Sequence, residues 1–180
     1  MTAVITLVLG LGNVLLHDEG IGVWVAESLR RGYEFPAAVT ILEGGTLGLD
    51  LLPRLDGVER LCLVDAVRVG GGPGAITRRA GEAVPAALDV KISPHQVGVQ
   101  DLLAAARLMG REPPEVVLWG MEPEWLDPGT GFSPRVAEAL PRLEAAVVDE
   151  LARWGVAGQP RLDATPPSVW WETPGIGRSR

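Results

Sequence analysis

The sequence predicts an α/β fold, a three-layer α/β/α sandwich built on a mostly parallel twisted sheet, and three observations predict it. Short β-rich apolar runs alternate with amphipathic helical stretches, the order that parallel strands joined by crossover helices require. The first run, Val4-Ile5-Thr6-Leu7-Val8-Leu9, is almost continuously apolar instead of alternating, the pattern of a strand covered on both faces. The chain has 180 residues, 47% of them hydrophobic, which is enough for one domain with a real core.

The elements follow in order. Gly10-Leu11-Gly12-Asn13 ends the first strand. Ile21, Val25 and Leu29 then recur at i, i+4 and i+8 and predict a helix closed by Gly32. Val39-Thr40-Ile41-Leu42 reads as a second strand that ends at Glu43-Gly44-Gly45, after which Thr46 is expected to cap a short helix through Leu52. Leu61 to Val64 is a third buried strand, stopping at Asp65. Beyond the turn Gly70-Gly71-Gly72-Pro73-Gly74, Ala75-Ile76-Thr77 is a candidate antiparallel edge strand. Ser93-Pro94 opens a helix with Ser as N-cap and Pro at the first helical position, where its missing N–H costs nothing. That helix is expected to bury Val97, Leu102, Leu103 and Leu108 or Met109, and to end at Gly110. Val116-Val117-Leu118-Trp119 is a further strand. Ser133-Pro134 opens the last helix, which runs to Trp154-Gly155 with a kink or break expected at Pro141. Residues 1–157 therefore read as one domain. Residues 158–180, with Pro160, Pro166, Pro167 and Pro174 and no periodicity, read as a mobile tail in which Trp170-Trp171 has no explanation.

Charge and cysteine content exclude several classes of function. Acidic residues outnumber basic ones 23 to 16, for a net charge of −7, and Lys91 is the only lysine. A non-specific nucleic-acid binder draws its affinity from neutralised phosphates, so no nucleic-acid partner is expected. Cys62 is the only cysteine, which rules out an intrachain disulfide and a thiolate metal cluster. Within Leu61-Cys62-Leu63-Val64 it reads as a small buried side chain. The N-terminus lacks a basic flank, and its apolar run soon meets Gly10 and Gly12, so neither a signal peptide nor a membrane span is expected. The expected location is cytoplasmic.

In parallel α/β sheets, ligands bind beyond the carboxyl ends of the strands, where the βα loops collect. Four segments should meet there: Asn13 to Glu19, Glu43-Gly44-Gly45-Thr46, Asp65, and Ser93-Pro94-His95-Gln96. Glu19, Asp65 and His95 would place two carboxylates and one imidazole on one rim, a donor set suited to a divalent ion such as nickel or zinc with open positions left over. Without a cation, two facing carboxylates would repel and one would resist ionisation. Each member has a plainer reading. Glu19 could simply complement a helix dipole, His95 could simply bond a loop carbonyl, Asp18 fits an N-cap role, and His17 is assigned to solvent. Asp65, an acid at the end of an apolar strand, must be paired or functional. A dinucleotide reading of Gly10-Leu11-Gly12-Asn13-Val14-Leu15 fails, because Leu15 stands where the third glycine is needed and Asp18-Glu19 puts negative charge where a pyrophosphate would lie.

The motifs carry a resemblance that spacing does not supply. Gly10 to Val23, with Asp18-Glu19-Gly20-Ile21-Gly22 at its centre, resembles the N-terminal signature of the [NiFe]-hydrogenase maturation endopeptidases. Glu43-Gly44-Gly45-Thr46-Leu47-Gly48, Leu63-Val64-Asp65-Ala66, and Lys91 to Gly98 with its Ser93-Pro94-His95-Gln96 core resemble the second, third and fourth motifs of that family. Gly120 to Glu124 and Gly131-Phe132-Ser133-Pro134 also follow the pattern, so the likeness spans residues 4–155 in order. It implies an α/β sandwich and a cytoplasmic endopeptidase that removes the C-terminal extension of the hydrogenase large-subunit precursor after nickel insertion. It also implies that Glu19, Asp65 and His95 contact the nickel and that Asp65 and Glu19 serve catalysis. Glu43, Gly44, Gly45 and Thr46 become candidates for substrate binding, and no organic cofactor is expected. Glu19 and Glu43 stand where the family more often has Asp. Two other readings compete: a nickel-sensing chaperone that docks on the large subunit without cutting it, and a nucleotide-binding protein.

Overall fold

Among the described residues, seven strands run in chain order as β1 (Thr6–Leu11), β2 (Tyr33–Glu34), β3 (Val39–Gly45), β4 (Arg60–Ala66), β5 (Ile76–Ala80), β6 (Glu115–Met121) and β7 (Gln159–Pro160). Four helices, α1 (Ile21–Gly32), α2 (Ala83–Leu88), α3 (Pro94–Leu108) and α4 (Pro134–Arg153), are joined by two 3₁₀ stretches, His17–Gly20 and Gly48–Leu55. The computed structural model describes residues 4–88 and 94–162, with the backbone alone at residues 94 and 95. The expected Ser93 cap and the Trp170-Trp171 pair lie outside the described residues.

The main sheet has the order β3-β1-β4-β6-β5. β3, β1, β4 and β6 pair in parallel, and β5 pairs antiparallel with β6 at one edge. The mostly parallel α/β sandwich is therefore present, together with its antiparallel edge strand. Continuous apolar strands are explained by a core on each face. Leu7, Leu9, Leu61, Leu63 and Leu118 pack with Leu51 and Leu55 of the second 3₁₀ stretch, Val84 and Leu88 of α2, and Val99 and Leu102 of α3. The alternate residues Val8, Cys62, Val64 and Val117 pack with Ile21, Val25 and Leu29 of α1 and Leu140, Leu143 and Val147 of α4. A fully buried aliphatic side chain contributes about 1.5–3 kcal/mol, so these two layers dominate the stability. Cys62 is fully buried among them, and burial pushes its thiol pKa up, which leaves it inert at neutral pH.

α1 starts in direct contact with the sheet. A Cβ on Gly22 would lie 2.0 Å from the Val64 carbonyl oxygen and 2.5 Å from that of Leu11, so only glycine lets the helix settle on the ends of β1 and β4. This packing accounts for a glycine of the first motif without any phosphate.

Several expectations are corrected. α3 buries Val99, Leu102, Leu103 and Ala106, spaced i, i+3, i+4 and i+7, whereas Val97, Leu108 and Met109 are exposed. Apolar residues occur on more than one side of this helix, so counting them does not fix its phase. α4 runs unbroken through Pro141, which sits on the exposed side while Leu140 and Leu143 hold the helix to the sheet. Thr46 makes no cap hydrogen bond; the stretch after it begins at Gly48 with Leu47 as N-cap. Beyond residue 157, Gln159–Pro160 pairs antiparallel with Tyr33–Glu34, and Arg161 donates its N–H to the Gly32 carbonyl at 2.8 Å. No helix among the described residues is long and apolar enough to cross a membrane.

Candidate functional site

Asp65 is the penultimate residue of β4, between β1 and β6, and is completely buried. Its Oδ1 accepts the Ala66 N–H at 2.8 Å, and the Gln96 amide nitrogen lies 3.4 Å from its Oδ2. The same Gln96 nitrogen donates to the Ala66 carbonyl at 2.9 Å. Gln96 is itself fully buried in the first turn of α3. One amide thus ties the start of α3 to the end of β4 and brings the backbone of His95 to the strand end that carries Asp65. The His95 side chain lies outside the described residues.

Glu19 reaches the same edge from the other side. It is buried in the 3₁₀ turn His17–Gly20, which follows β1 and packs against β4. Its backbone is held tightly: a Cβ on Gly12, whose φ is +121°, would lie 1.7 Å from the Glu19 carbonyl oxygen. One acid therefore sits at the end of β4 and the other in the turn that follows the adjacent strand β1, as the strand-end rule anticipates. Among the described residues, no group of three or more His, Cys, Asp or Glu is arranged to hold a metal.

The second motif is placed differently. Glu43 lies two residues before the end of β3, with its side chain 42% exposed and its carboxylate 3.6 Å from Arg30 of α1. Burial and the neighbouring Glu27 carboxylate raise its pKa, while hydrogen bonds from Arg30 and Arg31 outweigh burial at Glu27 and lower that one. Glu43 thus belongs to an acid–arginine cluster on the α1 face. Gly44 is buried near Leu11 and Leu51, Gly45 accepts the Gly12 N–H at 3.0 Å, and Thr46 is exposed. These three residues stand at the carboxyl edge of β3, one strand removed from Asp65 across β1.

Two residues have roles that the sequence misassigned. Asp18 does not cap α1; no side chain caps either the 3₁₀ turn or α1. It is completely buried and accepts the N–H groups of Glu124 and Trp125 at 2.8 Å each, the Ser133 N–H at 2.7 Å and the Ser133 hydroxyl at 2.8 Å. His17 is not free in solvent. Its φ of +49° is left-handed, a conformation that costs a non-glycine residue about 1–3 kcal/mol. Its N–H bonds the Gly129 carbonyl at 3.1 Å, its ring meets Trp125 edge-on at 5.7 Å, and its Nε2 is 3.9 Å from Asp127. No local signal could have revealed these contacts, since Asp18 and Ser133 are 115 positions apart. Leu15, Leu47, Leu49, Val97 and Trp125 are exposed on segments that leave this same edge.

Comparison with known proteins shows the family. The model of the hydrogenase maturation protease family matches residues 23–150. The hydrogenase 2 maturation protease of Escherichia coli K12 is 41% identical over 156 residues, 86% of this chain and 95% of that protein. The chain belongs to the hydrogenase maturation protease family. The protein named hydrogenase expression/formation protein HupD of Rhodobacter capsulatus is 43% identical over 152 residues, 83% of this chain and 72% of its own. Among solved structures, the hydrogenase maturating endopeptidase HybD from E. coli superposes with a TM-score of 0.84 at 41% identity, covering 88% of this chain and 99% of that one. A hydrogenase maturation protease is a hydrolase of peptide bonds, and family members act on hydrogenase precursors.

Proposed function

We propose that this chain is a cytoplasmic endopeptidase that removes the C-terminal extension of a [NiFe]-hydrogenase large-subunit precursor once nickel has been inserted. The observation that carries this reading is the convergence of two buried acids, Glu19 and Asp65, on one strand edge to which Gln96, the neighbour of His95, is also tied. Glu19, Asp65 and His95 contact nickel that the precursor already holds, so the ion belongs to the substrate. Three oxygen and nitrogen donors are too few to saturate nickel, which lets them complete a coordination sphere begun by the precursor. Selection of loaded over empty precursor is then a difference of affinities.

Amide hydrolysis also requires an activated water and a protonated leaving amine. Asp65 or Glu19 acts as the general base, and the hydrogen bonds from Ala66 and Gln96 orient Asp65 for that role. Gly44, Gly45 and Thr46 line the approach of the extension along the edge of β3. The exposed Leu15, Leu47, Leu49, Val97 and Trp125 give that approach the apolar character that a polypeptide partner favours.

The decisive experiment compares the mass of nickel-loaded and nickel-free precursor before and after incubation with the protein. Loss of one defined C-terminal peptide from the loaded form alone is expected. Equal cutting of both forms would end the nickel checkpoint, and binding of the loaded form without cutting would identify a chaperone.

A further inference from the structure

Asp18 is a buried acid that no catalytic step assigned above uses, and hydrogen-bond donors surround it. The Asp18 side chain is completely buried. Three backbone N–H groups and one hydroxyl donate to it, all from the segment Glu124 to Ser133. Ser133 is the N-cap of α4, yet its hydroxyl makes no cap bond; it donates to Asp18. The positive end of the α4 dipole lies at the same carboxylate.

We infer that Asp18 is a positioning residue for Glu19, locking the 3₁₀ turn that presents Glu19 to the substrate's nickel; this rests on the role proposed above for Glu19. Successive side chains in a 3₁₀ turn are about 120° apart, so fixing the direction of Asp18 fixes that of its neighbour. Asp18 is drawn toward the loop before α4, and the backbone of Glu19 is pressed on its other side against Gly12. The left-handed His17 immediately upstream shows that the turn is held in a conformation the chain would not adopt unaided. Its N–H bond to Gly129 fastens the turn to the same loop that Asp18 grips.

The readout is the ratio of affinities for nickel-loaded and nickel-free precursor, measured by calorimetric titration with the full chain. This ratio isolates the metal contact, and a general loss of stability does not move it. Glu19→Gln is expected to lower the ratio about tenfold or more. Asp18→Asn, nearly isosteric, replaces an acceptor oxygen with a donor facing N–H groups. It should lower the ratio comparably, with affinity for the nickel-free form within about twofold. Because the two act through one contact, the double variant should fall no further than Glu19→Gln. A folded Asp18→Asn protein with an unchanged ratio, or a double variant whose loss is the product of the single ones, overturns the inference. Where Asp18→Asn does not melt cooperatively, Ser133→Ala decides: a partial fall supports the clamp and an unchanged ratio overturns it. An unchanged ratio for Glu19→Gln alone would overturn the nickel role of Glu19 and this inference with it, an outcome distinct from failure at Asp18 only.

Discussion

Asp65 offers the sharpest chemical test at the scale of single residues. Asp65→Asn keeps an oxygen for the Ala66 N–H and the shape of the side chain, but removes the charge. If Asp65 is the base, single-turnover cleavage should fall by about 10²–10⁴-fold while loaded precursor still binds. Unchanged cleavage would strip Asp65 of that role. Far from the edge, Glu150 of α4 accepts bonds from Arg78 Nε at 2.8 Å, from Trp119 Nε1 at 3.1 Å, and from Arg153. Burial opposes its charge, but the arginine hydrogen bonds prevail and lower its pKa from 4.5 to about 2. A carboxyl lowered on folding stabilises the protein fully above its unfolded pKa. That contribution is lost as pH falls from about 4.5 toward about 2, so the melting temperature should drop across this window in the parent and less steeply in Glu150→Gln. The placement of Asp65 and Glu19 at the carboxyl edge of the sheet was legible in the sequence because each is an acid at the end of an apolar run or in the loop after one. Asp18 was not: its partners come from a loop more than a hundred positions away, and its neighbours in sequence suggested an ordinary cap.

Among the elements, α3 matters most to function, because its first turn hangs on one side chain. Gln96→Leu keeps the bulk and removes the donors to the Ala66 carbonyl and Asp65. Leaving a buried carbonyl without its donor costs about 1–3 kcal/mol, so a lower denaturation midpoint is expected together with slower cleavage. Retention of full activity would show that α3 is held in place by its apolar contacts alone. α1 has the opposite sensitivity. Gly22→Ala drives a methyl group into two carbonyl oxygens of the sheet, and such overpacking costs about 1–3 kcal/mol or more. The melting temperature should fall, and cleavage with it, since the turn bearing Glu19 leads directly into α1. Order and type of the main elements were readable from periodicity and from the Ser-Pro starts. The buried face of α3 was not, because apolar residues on several sides leave the phase to the sheet it packs on, and neither was the two-residue pairing of β2 with β7, too short to leave a pattern.

At the scale of the whole molecule, the proposed donors arise from three different layers. Glu19 belongs to the turn preceding α1, whose loop contacts bind it to the α4 side; Asp65 belongs to the sheet; His95 belongs to α3, on the opposite face. Direct titration of the protein with nickel, in the absence of precursor, should show only weak and chelator-reversible uptake, since three oxygen and nitrogen donors leave much of the coordination sphere to be completed by the proposed precursor. Trp125→Ala should weaken precursor binding by about 1–2 kcal/mol with little change in the single-turnover rate, as expected for an exposed aromatic anchor on the rim. The two hydrophobic layers lie on opposite faces of the strands. An ion grasped by all three donors would act as a rivet driven through the sandwich, so docking of the loaded precursor should slow amide hydrogen exchange in α1 and α3 together, on both sides of the sheet at once.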